Sequence, residues 1–151
     1  MQKTVFISVV VFFSLRCIQA SGQKIGIGAQ FGEPTGLTVR VNSAGNINLD
    51  MLAAWNFDNY FFFNLHGVWE KRVINDFPKF HYFYGPGAFV VLRNRGHNYT
   101  DEASLGISGT IGLNVYLGRV EVFGQVTPRL TLVKSTDGYI GGGIGGRFYL
   151  N

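Results

Sequence analysis

His97, Asp101, Glu102 and Ser104 put an imidazole, two carboxylates and a hydroxyl within one short stretch, a set able to move protons or activate a nucleophile. No flanking pattern fixes their mutual order, so they read as a polar surface loop. Arg93, Arg95, His97, Asp101 and Glu102 are the candidate contacts of that surface. His66 and His81, like His97, have no His or Cys partner at metal-ligand spacing, and no metal site is expected. Gly141 to Gly146 satisfies a G-x-G-x-x-G pattern, yet only five residues follow and no helix is there to hold a phosphate, which sets nucleotide binding aside. We therefore expect no catalytic residue and no cofactor.

Six other charged residues share a different property. Arg40, Asp50, Glu70, Glu121, Arg129 and Arg147 each lie on the polar side of a segment that alternates apolar with small or polar residues. Alternation of period two is the mark of a strand with two unlike faces. Tyr139 to Leu150 shows it most plainly, with Ile140, Ile144, Phe148 and Leu150 against Gly141, Gly143, Gly145, Arg147 and Tyr149. Charges of both signs confined to one face, opposite an aliphatic one, predict a network in which they neutralise one another, because an unpaired buried charge is costly.

The elements that must hold these charges are eight. Segments from Lys24 to Phe31, Leu37 to Asn42, Ile47 to Asn56 and Tyr60 to about Glu70 alternate in this way. Ser104 to Leu117, Val120 to Leu132 and Tyr139 to Leu150 do so as well. Phe80 to Leu92 alternates less distinctly, since both its faces carry aromatics and Pro86 would be awkward in mid-ladder; Tyr82, Tyr84, Ala88, Val90 and Leu92 are taken as its outer face. Turns are marked by Glu33-Pro34-Thr35-Gly36, Ser43-Ala44-Gly45-Asn46, Asp58-Asn59 and Gly118-Arg119, and longer polar links run over 70–79, 93–102 and 134–138. In most segments the aliphatic side is clearly the greasier one, whereas a soluble exterior would be rich in Lys and Glu. The sequence thus predicts an all-β, antiparallel eight-stranded up-and-down transmembrane barrel with lipid outside.

Size and composition agree with that. The chain has 151 residues with 21 glycines, 14 phenylalanines and only four prolines, and no long helical pattern. Lys3, the apolar run from Val5 to Leu15 and the stretch Ile18-Gln19-Ala20 have the three regions of a signal peptide, so residues 1–20 are expected to be removed, with cleavage after Ala20 or Gly22. Residues 21–151 then form one domain. The sole cysteine, Cys17, falls within the leader, and Arg16 beside it argues against lipid attachment there. Beyond Ala20, eleven basic residues face nine acidic ones and no basic stripe exists, which excludes a nucleic-acid binder. Over eight strands, about 130 residues leave roughly 16 each, enough for a membrane strand of about 9 to 11 residues and a link. Closure is required as well, since an open edge in lipid would leave backbone groups unsatisfied.

Trp55, Phe57, Tyr60, Trp69, Tyr139 and Tyr149 lie near segment ends, where interfacial aromatic girdles sit, and all six are expected there. Inward glycines, Gly26, Gly28, Gly106, Gly112, Gly141, Gly143 and Gly145, leave room beside the long inner side chains. An eight-stranded barrel is just wide enough for its own side chains, so no open pore is expected.

On strand number, alternation and the final segment, the chain resembles the small eight-stranded outer-membrane barrels of diderm bacteria, the OmpA/OmpX-like transmembrane class. The resemblance covers nearly the whole mature chain and implies a bacterial outer-membrane location, contact with outer-membrane lipid and a monomer. It also implies an assembly signal in the last strand, carried here by Ile140, Ile144, Phe148 and Leu150, although the chain departs from the class by ending in Leu150-Asn151. A structural or surface-interaction role is the first reading. The alternatives are a soluble exported lipocalin-like barrel with an apolar ligand inside and an outer-membrane lipid-modifying enzyme.

Overall fold

The computed structural model describes residues 24–56, 60–73, 76, 79–93, 102–133 and 136–150. The expected leader with Cys17, the turn Asp58-Asn59, and Phe57, Arg95, His97 and Asp101 lie outside the described residues. Eight strands follow in order: β1 (Lys24–Glu33), β2 (Gly36–Asn42), β3 (Asn48–Asn56), β4 (Tyr60–Arg72), β5 (Phe80–Arg93), β6 (Glu102–Leu117), β7 (Val120–Thr131) and β8 (Gly138–Tyr149). Each pairs antiparallel with the next, and β8 returns to β1 through Gly26↔Tyr149 to Glu33↔Gly142, so the sheet is a closed barrel.

Burial follows the alternation, with its usual sense reversed. Arg40 and Glu121 are fully enclosed, whereas Ile140 and Ile144 are 72% and 70% exposed on the outer wall. Leu37, Leu49, Leu65, Ile107, Ile111, Leu113, Val122, Val126 and Phe148 share that wall. Inside, Leu52, Ala54, Phe62 and Phe89 form one apolar cluster, and Val68, Phe83 and Phe123 form another. The fold is thus a polar and aromatic interior wrapped in an aliphatic skin.

One link is shorter than in the sequence reading. The strand expected to end at Glu70 continues as β4 to Arg72, and Lys71↔Tyr82 and Arg72↔His81 extend its ladder with β5. The polar side chains of Lys71 and Arg72 hid this, since charged residues pair in a ladder as well as any where the strand emerges from the apolar belt. Pro86 stays within β5 on the outer face, opposite Gly109 of β6. On its other side the β4–β5 pairing runs to His66↔Gly87 and resumes in the same register at Trp69↔Tyr84. The missing proline N–H is accommodated by that short gap.

Between β6 and β7 the chain turns through Gly118 and Arg119, where Gly118 takes a φ of 67°, a left-handed conformation that favours glycine. The strand ends at Glu33 and Gly36, Asn56 and Tyr60, Arg93 and Glu102, and Thr131 and Gly138 lie at one end of the barrel, called here the mouth. The ends at Asn42 and Asn48, Arg72 and Phe80, and Leu117 and Val120 lie at the other.

Candidate functional site

Five of the six inner charges come together in the half of the barrel away from the mouth. Arg40 donates from Nη2 to Asp50 Oδ2 at 2.6 Å and from Nη1 to Glu121 Oε1 at 2.9 Å and Glu70 Oε2 at 3.3 Å. Arg147 donates from Nη2 to Asp50 Oδ1 at 2.7 Å and from Nη1 to Glu121 Oε1 at 3.2 Å, and both its Nε and Nη2 reach Thr38 Oγ1. Each guanidinium lies over a ring, Arg40 over Phe83 at 4.3 Å and Arg147 over Phe123 at 3.9 Å. Two cations therefore serve three carboxylates. The surplus negative charge is met by neutral donors, Asn114 Nδ2 and Tyr149 OH to Glu121 and Tyr116 OH to Glu70.

The rings that support the guanidiniums lie over the adjacent strand, and the glycines paired with them there leave the space. A Cβ on Gly112 would lie 2.5 Å from Phe83 Cζ, and one on Gly145 would lie 2.7 Å from Phe123 Cζ. Similarly, Gly26 faces the ring of Tyr149. In this arrangement Arg40, Glu121 and Arg147 are enclosed, while Glu70 and Tyr116 border a cavity at the end away from the mouth.

Arg129 is the exception among the six. Its side chain is at the mouth, with the guanidinium 4.7 Å from the rings of both Phe62 and Tyr139, and Nη2 donating to the Glu33 carbonyl oxygen at 3.3 Å. Parity correctly turned it inward, but parity says nothing about height. β7 is 12 residues long, and Glu121 and Arg129 sit near opposite ends of it.

The aromatic residues divide in the same way. Trp55 is 55% exposed on the outer wall near the mouth end of β3, and Trp69, near the opposite end of β4, packs against Tyr84 at 5.8 Å between ring centroids. Tyr149 is buried and bonded to Glu121, so it belongs to the interior and not to the girdle. Tyr60 packs against the Leu52, Ala54, Phe62 and Phe89 cluster, and Tyr139 donates its hydroxyl to the Glu33 carboxylate. All three share the parity of inward residues, but only Tyr149 is buried, and Tyr139 at the mouth end of β8 is 48% exposed.

Of the surface candidates, Arg93 lies with its guanidinium 5.7 Å from the Tyr60 ring centroid, and Glu102 begins β6. Sequence reasoning missed several inner partners: Thr38, Asn114 and Tyr116 in the network, Gln30 and Gln125 bonded to each other at 2.7 Å, and Ser108 bonded to His66 Nε2 at 2.8 Å. Their inward parity was the available signal. A serine and histidine in contact invite a nucleophile reading, but both face the interior, and neither lines the cavity at the mouth.

That cavity has a volume of about 570 Å³ and is bordered by the β1–β2 turn, Tyr60, Arg93, Arg129 and Tyr139. Among the described residues no group of three or more His, Cys, Asp or Glu side chains is placed to hold a metal ion.

Two solved structures share this architecture. The N-terminal β-barrel domain of Pseudomonas aeruginosa OprF aligns with a TM-score of 0.62 at 11% identity, over 85% of this chain and 96% of that one. Neisserial surface protein A (NspA) aligns with a TM-score of 0.51 at 10% identity, over 83% and 93%. No family model and no curated protein matches the chain. At such low identity the likeness is one of fold, and the fold is that of the small eight-stranded outer-membrane barrels.

Proposed function

We propose that this chain is an integral protein of a bacterial outer membrane, a side-chain-filled barrel with a structural or surface-interaction role and no open pore. The observation that carries the reading is the reversed burial around a closed sheet, with Arg40, Asp50, Glu121 and Arg147 enclosed and Ile111, Ile140 and Ile144 outside. A wall of that kind in water would expose apolar surface on every strand, whereas in a bilayer it matches the solvent. The fold shared with OprF and NspA supports the same location. The crossed ion pairs on the axis support a plug, because a water-filled path would have to pull both arginines away from their carboxylates. A lipocalin-like carrier would need the opposite distribution, apolar inside and charged outside.

Far-UV circular dichroism of residues 21–151 tests this directly. Cooperative β-structure is expected in detergent micelles and not in aqueous buffer. A monomeric, cooperatively folded β-protein in plain buffer would overturn the reading.

Trp55 and Trp69, the two tryptophans of the chain, are the outward aromatics we assign to the two interfacial girdles. In bilayers their fluorescence is expected to be quenched several-fold more by lipid brominated near the headgroup than by lipid brominated near the chain ends. Equal quenching at both depths, or none, would remove the assignment.

A further inference from the structure

The mouth of the barrel has a chemical character of its own. Arg129 is held in place between Phe62 and Tyr139, yet its hydrogen-bonding capacity is largely unspent: Nη2 makes one long bond to a backbone carbonyl, and the buried Nε finds no acceptor among the described residues. A buried N–H without a partner is costly and therefore uncommon. Across the same cavity stands Arg93, against the ring of Tyr60. Glu33 is the only carboxylate lining the cavity among the described residues, and it already accepts the Tyr139 hydroxyl. Two guanidiniums against one engaged carboxylate give the described lining one net positive charge. Arg129 is braced between two aromatic rings, and Arg93 lies beside one.

We propose that this cavity binds a phosphate or carboxylate group attached to an apolar body. The guanidinium of Arg129 borders the cavity with Nη1 making no hydrogen bond to a described residue, so it can donate to an oxyanion there. Arg93 adds a second cation at the rim. Phe89, Tyr60 and Tyr139 provide the apolar wall for the rest of the ligand. The volume falls within the range of about 300 to 1,000 Å³ usual for small-molecule sites. The inner charge network is not involved, so the inference stands apart from the structural role proposed above.

The ligand could be a dissolved small molecule or the headgroup of a lipid, and the test separates the two. The refolded barrel in nonionic micelles is titrated calorimetrically with phenyl phosphate and, in a second series, with dihexanoyl phosphatidic acid. Saturable binding of at least one probe is expected, weakened at least tenfold by Arg129→Gln and about threefold or more by Arg93→Gln. Arg93 lies at the exposed rim, so its variant keeps the test valid should Arg129→Gln fold poorly. Tighter binding of phenyl phosphate supports a soluble ligand, and tighter binding of the phosphatidic acid supports a lipid headgroup. If wild-type protein saturates with neither probe, or if neither substitution weakens binding, the proposal fails.

Discussion

Arg147→Met is expected to lower the melting temperature of the barrel in micelles by about 10 °C or more, read by the loss of β-structure on heating. The substitution preserves much of the side-chain volume and removes the charge. Asp50 would lose one of its two guanidinium partners, Glu121 one of its two, and Thr38 the donors to its hydroxyl. Removing one partner of a buried ion pair costs about 3–5 kcal/mol, because the remaining charge stays desolvated. For a domain of this size each kcal/mol corresponds to a shift of roughly 2–8 °C. Arg129→Met is the informative contrast. It is also inward, but it stands outside the network, and its shift is expected to be less than a third as large. An unchanged melting temperature for Arg147→Met, or equal shifts for the two variants, would refute a stabilising role for the network.

The second large effect concerns a residue with no side chain. Gly112→Val is expected to reduce the refolded fraction more than tenfold, measured by protease resistance after dilution from urea into micelles. The new Cβ would fall 2.5 Å from both Phe83 Cζ and the Gly124 carbonyl oxygen. Phe83 cannot withdraw without leaving Arg40, whose guanidinium lies over its ring. Crowding a packed interior in this way costs about 1–3 kcal/mol even where the neighbours can adjust, and here the nearest atoms include backbone. Gly109, three residues earlier on the same strand, has its nearest such neighbour at 3.7 Å. Gly109→Val is therefore expected to refold as well as the parent. Equal yields for the two variants would show that the inner glycines are not space for the rings.

Why these positions behave differently was partly visible in the chain itself. Period-two alternation placed Arg40, Asp50, Glu121 and Arg147 inside and Ile140, Ile144 and Phe148 outside, because the side-chain period of a strand leaves no third choice. Strand number and closure followed from the same pattern. Height along the barrel axis did not, since it depends on the stagger between strands that are distant in sequence. Arg129 was accordingly grouped with charges it never meets, while Thr38, Asn114 and Tyr116 were left out of a network they complete. Tyr149 shows the conflict between two rules: nearness to a strand end favoured the interface, parity favoured the interior, and the hydrogen bond to Glu121 follows parity. The mouth cavity needed three dimensions altogether, because Glu33, Arg93 and Arg129 are contributed by three different strands.

The wiring of the inner charges also has a bearing on how the barrel is put together. Arg40 and Asp50 face each other across β2 and β3, and Glu121 and Arg147 face each other across β7 and β8. Each of these hairpins therefore sets one cation of the network beside one anion of the network before the rest of the wall exists. The crossed bonds, Arg40 to Glu121 and Arg147 to Asp50, join segments 81 and 97 positions apart and can form only as the first and last strands meet. These four network charges can thus approach a membrane already paired within their hairpins. Sealing the seam between β1 and β8 then converts two separate dyads into a single cluster, so the final step of assembly is also the one that locks the interior.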